Sequence, residues 1–137
     1  MKTFAAIAAL VMVPALAHGA NLEVRIEGLR ETSGHLLLAL TDSADAWDGK
    51  AESVARKRQP VAATSERIRF EGLEPGSYAI SVFHDANDNG EMDKNIVGMP
   101  TEGYGFSQNP MVMRKATYEE ARFELAAGGS EIVIDLR

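Results

Sequence analysis

The run from Ser77 to Asp93 constrains this chain more than any other stretch. From Ser77 to His84, Tyr78, Ile80 and Val82 alternate with Ala79, Ser81 and Phe83, the two-residue period of a β-strand. At Asp85 the alternation gives way to oxygen-bearing side chains at every second position: Asp85, Asn87 and Asn89, then Gly90, Glu91 and Asp93. A hard cation such as Ca²⁺ takes about six to eight oxygens, and a curled loop can supply them by turning alternate side chains inward. Gly90 stands where such a loop turns sharply, a conformation glycine adopts without a Cβ penalty. In this reading Glu91 offers its backbone carbonyl, and Asp93 binds directly or through a water.

The pattern departs from the helix–loop–helix calcium motif at its end. That motif closes on a bidentate glutamate at the twelfth position, which here is Ile96. The preceding residues also read as a strand and not a helix. A carboxylate is therefore expected from outside the loop, and Glu102 is the nearest one. The alternative is a polar Asn-Gly turn between two strands, with no metal. Turn chemistry accounts for Asn89-Gly90 but leaves the regular donor spacing unexplained.

Strand signals dominate elsewhere. Leu22, Val24 and Ile26 alternate with charged residues, and His35 to Thr41 reads as a second, more deeply buried strand; the two are expected to form a hairpin around Arg30–Gly34. Asp42 to Pro60 is less regular, with modest helical character over Ala51–Arg58 and Trp47 at the core edge. Ile68 and Phe70 mark a third strand. Ala116–Glu120 is expected to make a helical turn. Ala121–Leu125 and Ile132–Leu136 are expected to make a closing hairpin around Gly128-Gly129. Short strands with turns at this spacing predict an all-β, antiparallel sandwich with irregular loops.

Residues 1–17 read as a leader peptide: Lys2, then an apolar, alanine-rich run to Ala15-Leu16-Ala17, a small-x-small cleavage pattern. Cleavage after Ala17 leaves a single domain, 18–137; cleavage after Gly19 or Ala20 also fits. The run is shorter than the roughly 20 residues that cross a bilayer. A periplasmic or secreted location follows. The chain has no cysteine, so no disulfide staples the domain, and a bound ion is a candidate for that role. The net charge of −6 argues against a nucleic-acid partner.

Three pieces carry a family pattern: Gly76-Ser77-Tyr78-Ala79-Ile80; Phe83-His84-Asp85 with Asn87, Asn89-Gly90 and Asp93; and Gly98-Met99-Pro100-Thr101-Glu102-Gly103-Tyr104-Gly105-Phe106-Ser107. Together they resemble the bacterial "domain of unknown function 2141" family. The resemblance implies an exported protein with a transthyretin-like, immunoglobulin-type sandwich. It implies no reaction.

Further residues carry competing readings. His84 shares a strand face with Tyr78, Ile80 and Val82, so it is expected to point into the core and order the loop, with metal ligation or base catalysis as the alternative. His35 reads as a surface or edge residue. Tyr104 and Phe106 flank Gly105 and either cover the end of the sandwich or offer aromatic surface to a ligand. Met111 and Met113, with Met92, Met99 and His18, form a soft-ligand set that could suit copper, though methionines also fill core gaps. No nucleophile motif appears, and a pairing of His84 with Ser81 or Ser107 is not demanded by spacing. The sequence thus predicts an exported, non-enzymatic module. Its structural calcium would rigidify Gly98–Ser107 for an unidentified protein or envelope component. The alternative is a small-molecule carrier or hydrolase with a pocket near His84, Tyr104 and Phe106.

Overall fold

The computed structural model describes residues 19–92, 94, 96–97 and 102–137. Eight strands stack as two sheets: β1 (Ala20–Glu27), β2 (His35–Thr41), β3 (Ala55–Pro60), β4 (Glu66–Leu73), β5 (Gly76–Asp85), β6 (Tyr104–Phe106), β7 (Phe123–Leu125) and β8 (Ser130–Asp135). The first sheet has the order β4-β1-β8; the second runs β3-β2-β5-β6, with β7 paired to the start of β5. The all-β sandwich expected from the alternation is the fold observed.

Each sheet turns one apolar row inward. Leu22, Val24, Ile26, Ile68, Phe70 and Ile134 meet Leu36, Leu38, Leu40, Ile80 and Val82, and all of them are buried. Burying each such side chain contributes about 1.5–3 kcal/mol, so this closed layer supplies most of the stability.

Three local expectations are corrected. β1 and β2 do not form a hairpin: the Arg30–Gly34 turn carries the chain from one sheet to the other. Both strands own a fully buried aliphatic row, and the two rows are covered by facing each other across the sandwich, not by lying side by side. The closing hairpin fails for the same reason. β7 pairs antiparallel with β5, whereas β8 pairs parallel with β1, from Leu22 opposite Ser130 to Glu27 opposite Asp135. That is the only parallel pair among the described strands. Finally, the segment read as weakly helical holds β3, whose ladder runs from His35 opposite Pro60 to Leu40 opposite Ala55. The helix propensity of exposed Arg and Lys is overridden by β2's free edge. The charges and Pro60 then blunt the new edge against pairing with other chains.

Two single-turn helices, α1 (Ala44–Trp47) and α2 (Tyr118–Ala121), sit on the outer face of the second sheet. Ser43 caps α1, and Thr117 with Glu120 forms a capping box on α2. Trp47, Phe106, Ala116, Tyr118 and Ala121 close over Ala79 as a second, smaller apolar cluster. The segment read as a leader lies outside the described residues; β1 begins directly after it, with Ala20 buried.

Candidate functional site

β5 ends at Asp85, whose side chain is only 2% exposed. A buried carboxylate needs partners, and the loop's own amides provide them. Asp85 Oδ1 accepts from the Asn89 N–H at 3.2 Å and Oδ2 accepts from the Gly90 N–H at 2.8 Å. The curl continues: Asn87 Oδ1 accepts from the Asn89 N–H at 3.3 Å, and Asn89 Oδ1 from the Glu91 N–H at 3.0 Å. Gly90 adopts φ 78°, the left-handed turn its identity predicts. The alternate-residue spacing therefore folds as a coil wound about its first carboxylate.

Glu102 joins this coil. It is 9% exposed, and its Oε2 accepts the Ala86 N–H at 2.7 Å. Ile96, which occupies the place of the closing glutamate in the helix–loop–helix motif, is instead fully exposed. The chain thus turns an apolar side chain out at the motif position and brings a carboxylate in from the bend just before β6.

The coil is clamped from the far side by the β1–β2 connection. Ser33 Oγ donates to the Ala86 carbonyl at 3.2 Å, and Gly34, at φ 67°, lies against the Asp85 and Ala86 backbone. A Cβ at Gly34 would stand 2.0 Å from the Asp85 carbonyl oxygen, so only glycine fits. His84 is 3% exposed, with Nε2 2.6 Å from the Ser33 carbonyl oxygen, and its backbone N–H donates to Gly103 at 2.7 Å. It is a satisfied core histidine that ties the turn to the loop. His35 Nδ1 lies 2.5 Å from Asp88 Oδ1, which Arg58 also approaches at 3.5 Å. Ser33, Gly34, His35 and Asp88 escaped the sequence reading as site residues, because only the register of β2 against β5 makes them neighbours.

The donor chemistry fits calcium. Asp85, Asn87, Asn89 and Glu102 carry hard oxygens around one turn of chain, the donor type that calcium takes. Asp93 lies outside the described residues. Among the described residues no three His, Cys, Asp or Glu side chains converge as a metal-holding group. Soft-metal chemistry finds less here. Met111 and Met113 are about nine-tenths exposed, and Met99 and His18 lie outside the described residues.

The expected grouping of His84 with Tyr104 and Phe106 does not form. Tyr104 pairs with Phe83 and Phe106 with Ser81, placing both rings on the outer face of the second sheet, while His84 points to the inner one. Nor does His84 meet Ser107, whose buried hydroxyl donates to the Ala121 carbonyl at 2.5 Å and accepts from the Ile80 N–H at 2.9 Å. Tyr104 and Phe106 instead stack edge to face, 5.9 Å between centroids, with Trp47 5.8 Å beyond Phe106. They border a cleft of about 780 Å³ whose lining also includes Gly90 and Met92 of the loop.

Two stacked sheets, an oxygen-lined coil at the end of the longest strand, and a half-open outer face beside it define a β-sandwich module that carries its site on loops. The chain belongs to the bacterial family described as "Uncharacterized protein conserved in bacteria (DUF2141)", whose model matches residues 24–133. No curated protein and no solved structure matches it. Among the described residues no helix is long and apolar enough to cross a membrane.

Proposed function

We propose that this protein is an exported, non-enzymatic binding module whose Asp85–Asp93 loop holds one structural Ca²⁺. The observation that carries the reading is the buried Asp85 carboxylate at the centre of its own loop's amides, with Glu102 drawn onto the same loop. The ion's role is to fix the loop against Glu102–Ser107, so that the adjoining outer face meets a protein or envelope partner already ordered. The apolar, alanine-rich residues before the domain support export.

Extracellular modules hold calcium at about 10⁻⁴ to 10⁻³ M. At about 10 mM calcium, binding to the folded state alone stabilises by roughly 1.4–2.7 kcal/mol. For a domain of this size that raises the melting temperature by about 5–10 °C over chelated protein. Asp85→Ala should lose this calcium-dependent increment. Coincident melts of the parent chain with chelator and with calcium would overturn the proposal.

The cleft beside Tyr104 and Phe106 favours a second reading, that the bound partner is a small molecule. A hydrolase gains no support, since His84 and Ser107 are committed to backbone partners in separate places.

A further inference from the structure

The outer face of the second sheet is built from two cross-strand rows. One runs Arg58, Leu37, Phe83, Tyr104 from β3 through β2 and β5 to β6; the next runs Arg56, Ala39, Ser81, Phe106. The middle of the second row is small and its ends are long, so the face is hollow at Ala39 and Ser81. The Trp47 cluster covers Ala79 beyond it. The loop stands on the other side, and the space between is the cleft of about 780 Å³, within the usual range for small-molecule sites.

Its charge is out of keeping with the chain. The net charge of the chain is −6, yet the cleft is lined by Arg56, Lys57, Arg58, Lys94, Arg114 and Lys115 and, among the described residues, by no acidic one. Two of these cations are occupied elsewhere, since Arg114 pairs with Glu120 and Lys57 lies over Phe70 towards the first sheet; Arg58 meets Asp88 only at 3.5 Å, with both side chains exposed to solvent. Arg56 has no ion-pair partner among the described residues. Lys115 donates to the Trp47 carbonyl, lies over the Trp47 ring and has no ion-pair partner among the described residues. Edge protection explains cations on β3. It does not explain Lys94 and Lys115, which line the same cleft from two separate loops.

We infer that this cleft binds a small amphipathic carboxylate, its apolar body lying on Leu37, Phe83, Tyr104 and Phe106 and its head group against Arg56 and Arg58. Two guanidinium groups two residues apart on one strand side suit a single planar monoanion, which each can grip through paired N–H donors. The apolar floor supplies affinity and the cationic edge sets orientation. This names a ligand for the binding-module reading; its floor and its two arginines belong to β2, β3, β5 and β6, apart from the loop that the ion would order.

Decanoate, decanol and decyltrimethylammonium, titrated calorimetrically into the purified chain in chelating buffer, test it. Decanoate should bind once per chain, decanol about tenfold or more weaker, and the cation not at all. The exposed pair Arg56→Gln/Arg58→Gln should weaken decanoate by about tenfold and leave decanol unchanged, with an unaltered melt. Ala39→Leu, filling the hollow, should weaken both. Equal affinity for decanoate and decanol, or an arginine-pair variant that binds decanoate like the parent, would overturn the inference. So would decyl phosphate binding where decanoate does not. Because no calcium is present, failure here leaves the calcium melt untouched, and failure of that melt leaves this result standing.

Discussion

The two faces of the second sheet are made by the same strands and obey different rules. On β5, Tyr78, Ile80 and Val82 point inward to a layer that is closed on every side. Ala79, Ser81 and Phe83 point outward, where only Ala79 is covered and the rest border a cleft. The inner face is set by volume: large aliphatics from two sheets exclude water together. The outer face is set by loops, which cover one end, leave the other open and bring charge to its rim. Stability resides on the first and the capacity for recognition on the second, although adjacent residues of a single strand supply both.

The sharpest way to break this contrast is a pair of truncations. Ile80→Ala removes a fully buried side chain and should destabilise by about 2–5 kcal/mol in urea unfolding. Phe83→Ala, on the partly exposed outer side, should cost about 1 kcal/mol or less. Equal losses would mean that the outer face is a second closed core. A smaller effect is expected at the seam between the covered and open parts of the outer face. Ser107→Ala strands the Ile80 N–H and the Ala121 carbonyl in a buried place and should cost about 1–3 kcal/mol, with α2 loosened first in hydrogen exchange.

The smallest effect is a pH dependence at the α2 cap. Hydrogen bonds from Arg114 first, and then from the Thr117 backbone, hold the Glu120 carboxyl down from 4.5 to about 2. A depressed carboxyl stabilises above its unfolded value and loses that contribution as pH falls towards 2. The gap in urea midpoint between the parent chain and Glu120→Gln should therefore narrow from pH 5 to pH 2. A gap that stays constant would show the carboxylate charge to be irrelevant to the cap.

Much of the fold could be read from spacing because the strands are half-buried and alternate cleanly. β1, β2, β4 and β5 all lie where the period of two puts them. Pairing was harder to read. β7 and β8 are joined by the Gly128-Gly129 turn signal, yet each needs a different sheet to cover it, and the β1–β2 turn serves the same end. β3 carries no apolar period, since its partner edge and not its own side chains makes it a strand. At the loop, local order makes the curl of Asp85, Asn87, Asn89 and Gly90 legible, and Glu102 reaches the same loop through the Ala86 N–H. His84 was placed correctly towards the core, but its grouping with Tyr104 and Phe106 fails because strand parity sends it to the opposite face.

By itself the sequence determined what adjacent residues can settle among themselves: the strand period, the curl of oxygen-bearing side chains and the turn glycines. These depend on contacts within a few residues, which composition and spacing specify directly. Only the tertiary structure decided that Ser33 and Gly34 clamp the coil, that His35 meets Asp88, and that cations from β3 and two distant loops line one cleft with Ala39 and Ser81. Those neighbours are brought together by burying two apolar rows against each other, and an apolar row records that it must be covered without recording by what.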